Sequence, residues 1–460
     1  MVRHIRAIGA HRGRSLEQEH PPDITQGSLA RSIWHLAWPG MISQLLFMFP
    51  NLYDAVWLGQ LGREAQAAAG LAMTVRFTMI SVLMALSLGS GAVVARYVGA
   101  RDYDKANTAT MQAVILMVVS SGALGLVGVV LARPLMVLSG ADESTLGLAV
   151  RYARILFAGL IAMEMVPSLG YMISAAGAPK LMMGMTMWTA GVLLVAEPLM
   201  VRWMGLEGAA LAMVGSQTVG MLWGLGLLVA GRAPVRLDLR HLGLDIPVIR
   251  QILRVATPAV LQRGTPNVAM SLLTRMIAAY GAPTLAAWIV ARRLFDVAQI
   301  PSQGLSRAAP ALVGQNLGAG QPGRAVGAVR SLARLVALTM VVILGLLTLF
   351  APQVMALFSD DAETTALGAH ILRVLGVGYL FFALNYVYDS AQGGAGDTLS
   401  PMVINLVALW VLQVPLAYVL SRGAGLGANG IWLALVLGWG LQLVLMWLRY
   451  RQGRWKSKRI

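Results

Sequence analysis

The second half of this chain repeats the first at a nearly constant spacing of 219 residues. Pro39 returns as Pro258 (258 − 39 = 219), Ala67-Ala68 as Ala286-Ala287, Gly99-Ala100 as Gly318-Ala319, Lys105-Ala106 as Arg324-Ala325, and Gly177 as Gly396. Towards the end of each half a small insertion shifts the register, so that EGAALA (207–212) answers NGIWLA (429–434), 222 residues on (429 − 207). Two tandem copies of one unit leave few architectures open. Each unit must bury its apolar face against its neighbour, or sit with it in an apolar solvent.

Composition selects the apolar solvent. Of 460 residues, 57% are hydrophobic and only 12% are charged, about half the charged share of a soluble domain. Apolar runs long enough to cross a bilayer as helices recur along the chain. They give twelve spans, six per half: 32–59, 66–96, 104–131, 143–176, 180–201 and 205–231, then 247–280, 285–314, 323–350, 362–392, 398–421 and 428–450. The expected fold is an all-α membrane protein of twelve transmembrane helices in two six-helix repeats. Six is even, so the repeats are parallel, related by an axis along the membrane normal.

A net charge of +16 would suit a nucleic-acid partner, but its distribution does not. Loops and helix ends on one side hold 23 Lys and Arg residues, whereas the other side holds four: Arg63, Arg133, Arg202 and Arg422. This bias places both termini in the cytoplasm. Basicity reports topology in the bilayer, and no nucleic-acid partner is expected. Residues 1–28 are expected to form a disordered cytoplasmic tail, 29–231 the N-terminal lobe, 232–247 a cytoplasmic linker, 248–450 the C-terminal lobe and 451–460 a basic cytoplasmic tail.

Enzyme signatures are missing. The four lysines, Lys105, Lys180, Lys456 and Lys458, never follow Gly as a phosphate-binding loop needs. No His precedes Glu, and there is no cysteine. The acidic string SDDAET falls in a loop and reads as a solvated turn. No metal, no cofactor and no nucleotide hydrolysis are expected, so the energy is expected to come from an ion gradient or a partner.

The informative residues are carboxylates within apolar helices, where a charge costs at least ~2.5–3.5 kcal/mol. Asp54 and Glu197 lie at similar depth, each about five residues from the outer end of its helix, and each has a proline beside it, Pro50 and Pro198. Proline removes a backbone hydrogen bond and permits a hinge. By the repeat, Asp54 maps to Leu273, and matching Pro198 to Pro415 sends Glu197 to Val414. Residues that build the scaffold should recur in both copies; these two do not. Glu164 and Arg76 are further embedded charges of the first half, readable as cavity-lining and as counterion. Asn51 stands one turn before Asp54 on the same face. Asp389 lies near the cytoplasmic end of the tenth helix, and Arg292 and Asp296 have the i,i+4 spacing of a local ion pair.

The strings LAWPGMISQLLFMFPNLYDAVWLGQLGREAQAAAGLA (36–72), GSGAVVARYVGARDYDKA (89–106), GLSRAAPALVGQNLGAGQPGRA (304–325) and GGAGDTLSP (393–401) resemble the multidrug and toxic compound extrusion family. The likeness extends over roughly residues 30–450. It implies a two-lobed exporter that works by rocker-switch alternating access and exchanges H⁺ or Na⁺ for organic, often cationic, amphipathic compounds. By the same likeness Asp54 and Glu197 become the ion-coupling pair; the embedded polar residues noted above, Asn51, Glu164, Arg76 and Asp389, stand as substrate-binding candidates. Sodium-type members add an Asn and a Thr where this chain has Leu193 and Met213. Na⁺ needs several oxygen ligands and a proton needs one carboxylate, so H⁺ coupling is expected. Burial and mutual repulsion should let the pair titrate as a unit.

The expected protein is thus a monomeric H⁺/drug antiporter of the inner (plasma) membrane. A Na⁺-coupled drug or metabolite exporter and a lipid-linked oligosaccharide flippase are the alternatives. A membrane enzyme is disfavoured, because no nucleophile–base or metal constellation is present.

Overall fold

A computed structural model describes residues 24–458, except the side chains of 47, 48, 51, 52, 239, 263 and 267. Among the described residues the chain forms twelve helical rods and no strand. The first six are α1 (Leu29–Gln60), α2 (Arg63–Gly99), α3 (Tyr103–Val130), α4 (Glu143–Ala158 with Leu160–Ala175), α5 (Pro179–Met204) and α6 (Leu206–Val229). The second six are α7 (Ile246–Ala278), the three-part α8 (Ala282–Ala298, Ile300–Ser306, Ala308–Gly318), α9 (Pro322–Leu349), α10 (Ala362–Gly394), α11 (from Leu399 to Gly423) and α12 (Ala428–Arg451).

Among the described residues eight helices are long and apolar enough to cross a membrane, and the two parts of α4 make a ninth. The remaining three rods are α1, α7 and α8. Of these, α7 carries Arg250, Arg254 and Arg275, and α8 is cut into pieces too short to count alone. The repeat is visible in the backbone. Gly62 and Gly281 open α2 and α8 at φ of 97° and 104°, a region that only glycine enters freely.

Three helices depart from the plain spans expected. The α4 rod bends by 49° at Gly159, where a Cβ would lie 2.4 Å from the Val214 side chain of α6. In α8 the breaks at Gln299 and Arg307 precede Pro301 and Pro310, which donate no backbone hydrogen bond. Around Pro415, α11 contains π-helical turns at Val407–Gln413 and Val419–Gly423; a proline that cannot bond to the preceding turn favours such widening.

The lobes meet at the face that carries both described chain ends, here the terminal face. Tyr97 Oη donates to Gln251 Oε1 at 2.9 Å and Gln315 Nε2 to the Ala175 carbonyl at 2.6 Å; deeper, midway along α1 and α8, Gln44 Nε2 donates to Gln303 Oε1 at 3.2 Å. Gly99 and Gly318, repeat equivalents, sit against the other lobe's backbone: an added Cβ would lie 2.0 Å from the Gln315 oxygen and 2.1 Å from the Arg96 oxygen, respectively. Two helices also cross between lobes. The start of α1, with Ile33, Leu36 and Ala37, is buried in the second lobe's core. The start of α7, with Val248, Ile252 and Ala256, is buried in the first lobe's.

The ends of the chain are tied to this face. Residues 1–23 lie outside the described residues. The expected tail ran to residue 28, but 24–28 are seated: Arg324 donates to the carbonyls of Ile24, Gln26 and Gly27 at 2.7–3.2 Å, and Ile24 is buried. At the other end Lys458 Nζ meets the buried Asp397 at 2.6 Å, and its carbonyl accepts from Arg96 of the first lobe. The linker is likewise held, through Gln112 to the carbonyls of His241 and Gly243 and through Asn107 to the Arg236 N–H.

Candidate functional site

Asp54 stands in the half of α1 away from the terminal face. There α1 packs on α5 and on a cluster that includes Leu58, Tyr152, Met163, Leu193 and Met213. Pro198 has no N–H for the Leu194 carbonyl one turn back, and Tyr53 Oη donates to that carbonyl at 3.0 Å instead. This bond fixes α1 against α5 beside both acids. Asp54 is 4% exposed, and Glu197 and Tyr152 are 0% exposed.

Asp54 on α1 and Glu197 on α5 stand on helices that pack directly on one another. Tyr152 Oη reaches Asp54 Oδ2 at 3.5 Å. Among the described residues, Asp54 Oδ1 and both Glu197 oxygens have no hydrogen-bond donor. Two ionised carboxylates only accept, so they cannot bond to each other; one shared proton makes one of them a donor. Leu193 and Met213, both buried, bring no oxygen to the site. The arrangement therefore suits one proton held between two acids.

Arg76 and Glu164 also come together. Arg76 Nη2 lies 2.6 Å from Glu164 Oε1; Glu164 is buried and Arg76 nearly so. Tyr152, which reaches Asp54, shares one buried cluster with Val75 and Met163, the chain neighbours of Arg76 and Glu164, so the ion pair and the acid pair lie in the same lobe. Asp389 is elsewhere. It accepts from Gln262 Nε2 at 2.6 Å and lines, with Tyr171, Arg307 and Tyr386, a small cavity of ≈ 20 Å³ between the lobes. The Asn51 side chain lies outside the described residues. Pro50 and Pro198 both sit inside uninterrupted helices. Arg292 and Asp296 face each other loosely at 4.0 Å.

The acidic loop string resolves into a cap. Asp361 accepts from Thr364 N and Oγ1 at the start of α10, and its repeat equivalent Asp142 does the same with Thr145 at the start of α4. The threonine hydroxyl and N–H hold both carboxyls below the usual range. Tyr53 and Tyr152 were not singled out from the sequence. The proline that orphans Leu194 was a usable signal for a nearby donor, but nothing local marked Tyr152.

Comparisons with known proteins fit this build. The family description MatE matches residues 39–199 and again 258–419, two stretches whose starts are 219 apart (258 − 39). The chain is 25% identical over 447 residues to the probable multidrug resistance protein YpnP of Bacillus subtilis, covering 95% of this chain and 98% of that one. It is 27% identical over 427 residues to a protein of Shewanella oneidensis named FAD transporter, covering 90% and 92%. Among solved structures, a MATE in the bent conformation superposes with a TM-score of 0.88 at 24% identity, covering 94% of this chain and 98% of that one. An outward-facing multidrug resistance MATE family transporter superposes with a TM-score of 0.87 at 24% identity, covering 95% and 99%. With two lobes that each match the family and a twelve-rod fold shared along nearly its whole length, this chain belongs to the MatE family of secondary membrane transporters.

Proposed function

We propose that the chain is a proton-coupled antiporter that exports organic, often cationic, compounds, with Asp54 and Glu197 as its proton site. It works as a monomer in the inner membrane, with the terminal face in the cytoplasm, as the loop charges indicate. The observation that carries the reading is the isolation of the acid pair. Asp54 and Glu197 are buried with unfilled acceptors, and apolar Leu193 and Met213 stand where further oxygen ligands would complete a Na⁺ site.

On this reading a proton enters from outside and is shared by the pair, which removes one of its two negative charges. The hold on α1 then loosens, the helix rearranges near Pro50, and cargo leaves. After the lobes part at the terminal face, the proton is lost to the cytoplasm, and the charged pair again favours a cation. One pH unit supplies ~1.4 kcal/mol per proton and ~100 mV about 2.3 more. One proton for one neutral cargo sustains a gradient of roughly a few hundredfold. For a monovalent cation the electrical terms cancel and about tenfold remains.

The test is transport in proteoliposomes under an imposed pH or Na⁺ gradient, with a fluorescent cationic dye. FAD is the second cargo, chosen for the relative named as its transporter. Dye movement driven by pH alone and lost in Asp54→Asn is expected. Movement driven only by Na⁺, or retained in correctly folded Asp54→Asn, refutes the proton site. Movement of FAD without dye refutes the cargo class.

A further inference from the structure

We propose that the Arg76–Glu164 ion pair is a positioning device that sets the pH at which the Asp54–Glu197 pair exchanges its proton, and does not bind cargo. The inference rests on the proton-coupled reading above.

The repeat provides an internal control. Five polar residues gather in the first lobe: Asp54, Arg76, Tyr152, Glu164 and Glu197. At the repeat spacing their counterparts are Leu273, Phe295, Ile371, Ala383 and, by the proline match, Val414. The first four are buried members of the second lobe's apolar core. One six-helix bundle therefore packs without any of these polar groups. A buried ion pair contributes little net stability over an apolar replacement, so folding gives no reason to keep Arg76 and Glu164 in one copy. What distinguishes that copy is the acid pair.

The placement suits an electrostatic role. Arg76 reaches in from α2 and Glu164 from α4, and they are closed on each other at 2.6 Å, with 11% and 5% of their side-chain surface exposed. Buried charges satisfied by one another are poorly available to a passing cargo. Yet Arg76 retains an Nε–H without a hydrogen-bond partner among the described residues, and its chain neighbour Val75 packs in one cluster with Tyr152, which reaches Asp54.

The charged and titratable groups around the acid pair come from five helices. The acids themselves lie on α1 and α5, Arg76 on α2, and Tyr152 and Glu164 on α4. On α1, Tyr53 is engaged with the Leu194 carbonyl. From α6 comes Glu207, which is bound to Arg151 of α4 at 2.6 Å, a pair largely open to solvent. Arg76 and Glu164 are thus the buried charges next to the pair, and together they sum to zero.

The signs follow from Coulomb's law. Glu164→Gln leaves the guanidinium unopposed, favours the ionised acids, and moves the pH midpoint of dye transport down. Arg76→Gln leaves the Glu164 charge and moves the midpoint up. Each shift should be of the order of one pH unit, the size for one charge on a neighbouring helix, roughly 10 Å away by ordinary helix spacing, at an effective dielectric constant of about 20. A double variant built on the second lobe's own residues, Arg76→Phe with Glu164→Ala, should insert, transport, and restore the midpoint to within about half a unit.

The experiment is the pH profile of dye transport in proteoliposomes for the three variants, with KM for the dye measured alongside. Opposite shifts in the single variants, cancelled in the double one, with KM held within about twofold, are the expected result. Lower rates with unmoved midpoints overturn the inference, as does a changed KM with an unmoved profile. Asp54→Asn run in parallel separates the two readings. If it abolishes pH-driven transport while the midpoints stay fixed, only the role of the ion pair fails. If it does not, the proton site itself fails.

Discussion

Closing the terminal face depends on two glycines, and adding one methyl group tests whether that closure is a switchable state. In Gly99→Ala the new Cβ would lie 2.0 Å from the Gln315 carbonyl oxygen and 2.5 Å from the Gln315 Cα. A carbon–oxygen contact needs about 3.3 Å, so the second lobe must retreat by about 1.3 Å or α2 must distort. Overpacking of this kind costs ~1–3 kcal/mol, and the cost vanishes once the lobes part at this face. The equilibrium should therefore move towards the form open at the terminal face by roughly five- to 150-fold. Gly318→Ala meets the Arg96 carbonyl at 2.1 Å and should act in the same direction. Gly70→Ala, on the same helix as Gly99, meets nothing within 4 Å and is the control. The chain contains no cysteine, so spin labels on Tyr103→Cys and Gln321→Cys need no background removal. Pulsed dipolar spectroscopy should show the short distance losing population to a longer one in Gly99→Ala and not in Gly70→Ala. Identical distance distributions in all three proteins would refute the argument.

Four more outcomes are expected. Leu193→Asn with Met213→Thr supplies two oxygens beside the acid pair and should add Na⁺ stimulation to dye transport, read in the same vesicles. Tyr53→Phe strips the Leu194 carbonyl of its donor and should cost about 1 kcal/mol, seen as a lower unfolding temperature in detergent. Lys458→Ala removes the 2.6 Å contact to buried Asp397, leaving Arg449 at 3.7 Å, and should cost about 2 kcal/mol in the same assay. Asp142 and Asp361 have lowered values when folded. The stability they lend is therefore present above the ordinary carboxylate range near 4, and is lost as pH falls through the folded value. Replacing both with Asn should flatten the dependence of the unfolding temperature on pH below about 4.

The twelve rods were legible because apolar length and repeat spacing are properties of the chain itself. The closeness of Asp54 to Glu197 was legible indirectly, through matched depth and through the apolar residues at the equivalent places. Arg76 was readable as a counterion of Glu164, since an unpaired guanidinium among apolar residues is costly. Tyr152 was not legible, because it reaches Asp54 across 98 residues and carries no charge that demands explanation. Nor was the seating of Ile24 or Lys458, whose partners Arg324 and Asp397 look in the sequence like ordinary loop charges. The bend at Gly159 depends on the Val214 side chain of another helix, and no local pattern encodes it.

The exchange of helix starts between lobes has a consequence for how such a chain is put together. Ile33, Leu36 and Ala37 of α1 complete the second lobe's core, while Val248, Ile252 and Ala256 of α7 complete the first lobe's. This is the geometry of a swapped dimer joined into one polypeptide. Neither half is a self-sufficient folding unit. The first is synthesised without the helix that finishes it, and the second is finished by a helix made long before. Maturation in the membrane therefore ends with a mutual docking step rather than with two successive independent folding events. A break placed in the connection between the halves should leave two fragments that find each other.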